Sequence, residues 1–277
     1  MSDSTPDRSS WLTHDAYLAA FTADAGRLSG LARSADADAP VPTCPGWTLL
    51  DLVRHVGDVY AHKVALLRLG RRPEPGEWPL GDDLPLAEAV DRHDAAQREL
   101  AQLLADAGPD TACWTWMEGA GEGTSAAWAR RMAHEALVHR VDAEAALGAP
   151  LHPAAPGLAA DGVDEALTWM AGDSDVVADA RSAGGAAGAV LLDWGSGGRL
   201  VDLPDGGHDV RALSSAEVAD TAADATLRGD ALSIDLYLWG RLEALPSVMR
   251  GDLDVVEVSG SAPVLERLAA RLAAATQ

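Results

Sequence analysis

The first half of the chain carries a helical period. From about Thr13 to Ser34, Tyr17, Phe21, Leu28 and Leu31 recur at helical spacing and alanines fill the gaps, which predicts a first helix. Pro40, Pro42 and Pro45 then break the pattern, and Thr48 is placed to cap a second helix with Asp51 near its positive end. Leu49, Leu52, Val53, Val56, Val59 and Tyr60 give that helix an apolar stripe running towards Leu69. A proline- and glycine-rich crossover from Arg72 to Pro85 leads to a third helix, from about Leu86 to Ala107. A loop from Gly108 to Gly123, with Trp114, Trp116 and Met117 as packing residues, precedes a fourth helix from about Thr124 to Leu147. Four long helices with two longer connections read as a bundle.

Beyond Pro156 the period shortens. A helix over Ala159 to Met170 is followed by four short strand patterns: Ala189 to Trp194, Arg199 to Leu203, His208 to Leu213 and Asp224 to Arg228. Asp230 can cap a helix through Leu242, Asp254 to Val258 reads as a further strand, and an amphipathic helix from Leu265 to Ala274 follows. The Gly184 to Gly188 patch reads as a mobile loop. The expected organisation is α+β in two domains, a four-helix bundle over residues 1–154 and a smaller α+β domain over 155–277.

With 48% hydrophobic and 23% charged residues, the composition is globular rather than disordered. No basic leader with an apolar run opens the chain and no stretch approaches a membrane span, so a cytoplasmic protein is expected. A net charge of −22 repels phosphate backbones and anionic membranes, which sets aside nucleic-acid and membrane partners. An anionic substrate has to be met by a local cluster of arginines, because Lys63 is the only lysine. That bias, with abundant Ala, Gly and Asp, suggests a GC-rich source. Cys44 and Cys113 are too few for a disulfide framework and read as small apolar residues rather than nucleophiles.

One constellation suggests chemistry. On the fourth helix Glu135 and His139 are four apart, hence on one face, and Asp142 lies three further on. His134-Glu135 resembles the start of a zinc-protease motif. However, His134 and His139 are five apart and diverge by about 140° around the helix, so that reading fails. The second helix offers His55 among Leu52, Val56 and Val59, and His62 on a more exposed stretch beside Lys63. His55, Glu135 and His139 together supply three ligands and leave a coordination position open, as in a catalytic zinc site. The plain alternative is a Glu–His surface pair worth a few tenths of a kcal/mol. His14, His93, His152 and His208 lack partners at ligand spacing; the last three read as surface residues.

Three runs resemble a known family. Val41 to Val56 (VPTCPGWTLLDLVRHV) is similar to the signature opening the second helix of the mycothiol-dependent maleylpyruvate isomerase family. Trp128 to Asp142 (WARRMAHEALVHRVD) resembles its fourth-helix signature, and Leu227 to Arg241 (LRGDALSIDLYLWGR) its second domain. The resemblance implies a DinB-like bundle followed by a domain similar to sterol-carrier proteins. It also implies a divalent metal, Zn²⁺, on His55, Glu135 and His139, and mycothiol, the small thiol of actinobacteria, as cosubstrate. In the family reaction the thiolate adds to a cis double bond, permits rotation and leaves the trans isomer. Arg241 matches the arginine linked to activity, where it can clamp a carboxylate or serve only the helix dipole. Asp142 is either a carboxylate orienting a ligand histidine or a solvated helix-face residue. A mycothiol S-transferase acting on an electrophile or biosynthetic intermediate, and a non-catalytic metal- or ligand-binding regulatory protein, remain open beside the isomerase.

Overall fold

The computed structural model describes residues 10–81, 83–116, 123–169, 185–205, 208–251 and 253–275. The chain divides into two compact units, one ending at Leu158 and the other beginning at Ala159.

The first unit holds α1 (His14–Ala32), α2 (Leu49–Leu69), α3 (Leu86–Ala107) and α4 (Ser125–Leu147). α1 lies chiefly against α4, and α2 against α3. Thr13 caps α1 by accepting from Ala16 N. At α2, Thr48 accepts from Asp51 N while the Asp51 carboxylate accepts from Thr48 N, a reciprocal cap worth about 1 kcal/mol. Gly70, at φ +66°, ends α2 in the left-handed region that a Cβ disfavours. The stripe read from the sequence is the face that packs: Leu49, Leu52, Val53, Val56 and Tyr60 are buried, with Phe21 edge-on to Tyr60. α4 differs from a surface helix because it is buried nearly all round, from Ser125 to Ala145, charged residues included. Trp128, fully buried on it, satisfies its indole N–H on the Trp114 carbonyl, which ties the loop backbone to α4. Met117 of that loop lies outside the described residues.

The second unit is α+β. It contains α5 (Leu158–Trp169), β1 (Gly188–Asp193), β2 (Gly197–Leu203), β3 (Asp209–Ser214), α6 (Ser215–Asp220), β4 (Ala225–Arg228), α7 (Ala231–Leu238), α8 (Ser247–Arg250), β5 (Glu257–Gly260) and α9 (Ala262–Ala275). The sheet order is β3-β2-β1-β4-β5; β1 and β4 are parallel and the other neighbours antiparallel. Leu191, Leu200, Leu213 and Val218 form one core cluster against it.

Several boundaries move for physical reasons. The helix capped by Asp230 stops at Leu238 rather than Leu242, because Gly240 takes φ +70° and the chain re-forms as a short 3-10 turn over Leu242–Ala244. The last strand sits at Glu257–Gly260, where it pairs with β4, rather than at Asp254 to Val258. α6, with its own Ser214–Glu217 cap, was not anticipated. Of the glycine patch, Gly184 lies outside the described residues. Gly185 is closely packed at φ +93°, where a Cβ would come within 2.4 Å of the Pro263 carbonyl oxygen. The backbone needs glycine there for room, which the mobile-loop reading did not foresee. No helix among the described residues is long and apolar enough to cross a membrane.

Candidate metal centre

α2 and α4 bring His55, Glu135 and His139 together, with one ligand atom from each lying within 4.8 Å of the others. Glu135 Oε1 is 3.3 Å from His139 Nε2 and 3.7 Å from His55 Nε2. Tetrahedral zinc with ligands at about 2.0–2.1 Å sets its donor atoms about 3.3–3.4 Å apart, a spacing that Glu135 and His139 already have and that His55 exceeds. The two imidazoles meet edge to face with centroids 5.2 Å apart, and Trp47 lies 4.9 Å from the His55 ring on a tilted plane. His139 is almost fully buried, whereas the His55 side chain is 40% exposed, which gives the trio one solvent-facing side.

The surroundings fix each donor. Asp142, fully buried, takes His139 Nδ1 at 2.8 Å, so that nitrogen carries a proton and Nε2 is the nitrogen turned to the trio. Burial excludes the solvated reading of Asp142. Cys44 Sγ donates to the same carboxylate oxygen at 3.4 Å, 98 residues away in sequence. Arg131 Nη2 donates to Glu135 Oε2 at 2.8 Å, which leaves Oε1 to face the histidines. Burial alone would raise the Glu135 carboxyl, but His139, His55 and Arg131 outweigh it and hold the group well below the usual carboxylate range. Burial would lower His139, yet Glu135 and Asp142 lift the imidazole to about 9. A cation on Nε2 replaces that proton, so two histidines, one anionic oxygen and a fixed tautomer form a donor set suited to a divalent ion.

Other sequence-based expectations fare unevenly. Lys63 is buried rather than exposed, its Nζ 4.5 Å from the Trp128 ring centre and 3.1 Å from His62 Nδ1. Burial pushes the amine down to about 7 against the pull of Glu135. His93 is a core residue packed on Tyr60, not a surface one, because α3 turns it inward. His208 is half-buried, with Nε2 3.2 Å from the Leu167 carbonyl, and His152 is exposed. Cys44 is buried, while Cys113 is half-buried and its thiol is pushed by burial to about 11. Arg241 belongs to the second unit, where Nη1 donates to the Trp239 carbonyl at the C-terminus of α7. Sequence reasoning missed Trp47, Cys44 and Arg131 around the trio. Only Arg131, four residues before Glu135, carried a local signal.

Comparisons with known proteins agree on the fold and on the first unit. No curated protein matches the chain in sequence. A crystal structure of a histidine-to-alanine mutant of the mycothiol-dependent maleylpyruvate isomerase superposes with a TM-score of 0.54 at 14% identity, covering 91% of this chain and 95% of that one. At that identity the likeness establishes the α+β fold alone. The family model described as the mycothiol maleylpyruvate isomerase N-terminal domain matches residues 18–144, the span that carries His55, Glu135 and His139. Residues 18–144, a little under half of the chain, are thus similar to the N-terminal domain of the mycothiol maleylpyruvate isomerase family.

Proposed function

We propose that the chain is a metal-dependent enzyme using mycothiol as cosubstrate. The thiol adds to the double bond of a small electrophile, the bond rotates, and loss of the thiol releases the trans isomer of a cis substrate. The observation that carries this reading is the convergence of His55 Nε2, Glu135 Oε1 and His139 Nε2 with the other His139 nitrogen engaged by Asp142. A divalent ion on these atoms, zinc by its donor set, would offer an open position and lower the pKa of a thiol. The residues of the chain do the rest: Asp142 holds the imidazole tautomer, and Arg131 keeps Glu135 ionised and aimed.

An external thiol fits the cysteines of the chain. Cys44 is buried on Asp142, and Cys113, raised to about 11, stays protonated at neutral pH. Neither is available as a thiolate nucleophile. Two free cysteines also suit the reducing cytoplasm. Arg241, in the second unit, is proposed to hold a substrate or thiol carboxylate; Arg241→Lys should then lose activity with little change in melting temperature.

The test compares turnover of maleylpyruvate and related electrophiles with mycothiol, without it, and after chelation. We expect turnover only with thiol and metal together, the thiol being recovered unchanged. Equal turnover without thiol overturns the proposal in favour of metal-assisted hydrolysis. Stoichiometric thiol consumption reassigns the chain as an S-transferase.

A further inference from the structure

His55 is shared between the trio and a second feature. On its outer side a cleft of about 550 Å³ is lined by Gly46, Trp47, Asp51, Arg54, His55 and Asp58. Asp51, His55 and Asp58 follow one another at i, i+4 and i+7 on α2, a single helical stripe with the indole of Trp47 at its head. The volume is that of an ordinary small-ligand site.

The polar groups of this cleft are already held in place. Asp51 spends one oxygen on the Thr48 cap, which lowers its pKa. Asp58 pairs with Arg92 at 2.6 Å and accepts from Gly81 N at 2.9 Å. Arg54 donates through Nε and Nη2 to the Leu84 carbonyl. What each can still offer is planar and fixed: further lone pairs on the two carboxylates and further N–H groups on the guanidinium. With Arg92 paired to Asp58, the two carboxylates are matched by two guanidiniums and the cleft is close to neutral. A dicarboxylate substrate finds no surplus of positive charge there. An apolar ligand would strand these polar groups out of water. A neutral ring bearing several hydroxyls meets all of the requirements, since vicinal hydroxyls donate to the carboxylates, accept from the guanidinium and leave a C–H face for the indole.

We propose that this cleft is the subsite for a neutral polyhydroxylated group, the sugar–cyclitol body of the thiol cosubstrate. The inference rests on the thiol reading above and locates one half of it. The His55 ring is common to the cleft and the trio, with the Trp47 and His139 rings at centroid distances of 4.9 Å and 5.2 Å from it. A ligand whose sulfur reaches the trio can thus lay its body across His55.

The probe is the sulfur-free fragment N-acetylglucosaminyl-inositol, titrated calorimetrically into the full chain with and without added zinc. Saturable binding is expected in both cases, because the cleft itself needs no ion. Trp47→Leu, which keeps an apolar side chain against His55 but no ring face, should weaken binding about five- to tenfold, and Trp47→Phe should restore most of it. Should the leucine variant not fold, carboxyl chemical shifts in the wild-type protein decide: those of Asp51 and Asp58 should move on titration and those of Glu77 and Glu99 should not. Absence of saturable binding overturns the proposal, as does displacement by succinate or tighter binding of a simple alkylammonium. Zinc binding without fragment binding refutes the subsite alone, whereas fragment binding to a chain that takes up no zinc refutes the metal reading alone.

Discussion

α4 carries two buried charged clusters less than two turns apart, and they are closed in different ways. Towards its C-terminal end Arg140 pairs with Glu144 at 2.7 Å and with Asp24 of α1 at 2.9 Å, and donates to the His152 carbonyl. Arg27 binds the other oxygen of Glu144 and the Pro150 carbonyl. Two guanidiniums and two carboxylates thus neutralise one another and tie α1, α4 and the segment after α4 together. Around Glu135 and His139 the same residue types are instead held from behind, by Arg131 and Asp142, and three donor atoms are left facing a common point. Burial and ion pairing are common to both clusters; convergence of lone pairs on one point distinguishes the candidate centre. Charged residues on a buried helix therefore indicate function only when their partners stand behind them rather than opposite.

The comparison breaks most sharply at Arg140. Arg140→Met leaves Asp24 and Glu144 as buried anions and should cost about 3–5 kcal/mol of stability, read by denaturant unfolding. Zinc per folded chain should be unchanged; a loss of metal there would erase the distinction between the clusters. Glu135→Gln should do the reverse. It removes the anionic ligand while keeping its shape and should weaken zinc binding by at least about a hundredfold, more than any loss of stability in the metal-free protein accounts for. Asp142→Asn, which acts only through His139, should weaken it by about 10–100-fold. Equal affinities for these variants and the wild type, in competition with a chromophoric chelator, would show that the trio is not the site.

The smallest effect sharpens the comparison through a third buried charge, Lys63, which packs on α4 at Trp128. Its amine is lowered to about 7, so the unfolded chain binds its proton more tightly than the folded one. The destabilisation is complete below pH 7, and stability should rise as pH climbs from about 7 towards 10.5. Lys63→Met should flatten that rise and melt higher than the wild type at neutral pH. An unchanged profile would mean that the amine is solvated.

The fold and the trio were legible for the same reason: both are written in local period. α3 runs over the residues its pattern marks, and the i, i+4 spacing of Glu135 and His139 survives because a helix preserves it. His55 was found by its place in an apolar stripe. What stayed hidden depends on contacts between distant parts of the chain. No spacing rule connects Cys44 to Asp142, or Trp47 to His55 through a proline-rich link, and His93 is inward only because α2 presents Tyr60 to it. Local reading also cannot rank Arg140–Glu144 below Glu135–His139, since both are i, i+4 pairs on one helix.

The reciprocal cap at Thr48 and Asp51 sets the phase of α2, and His55 lies seven residues downstream of Thr48. Each helical residue advances the azimuth by about 100°. Length variation in the link over residues 35–46 can be absorbed before the cap without turning the imidazole. A single deletion between Thr48 and His55 would swing it by about 100°, out of reach of Glu135. Related chains should therefore vary freely in length up to the cap and keep the cap-to-histidine interval constant. An alignment in which that interval drifts would mean that another residue takes the place of His55.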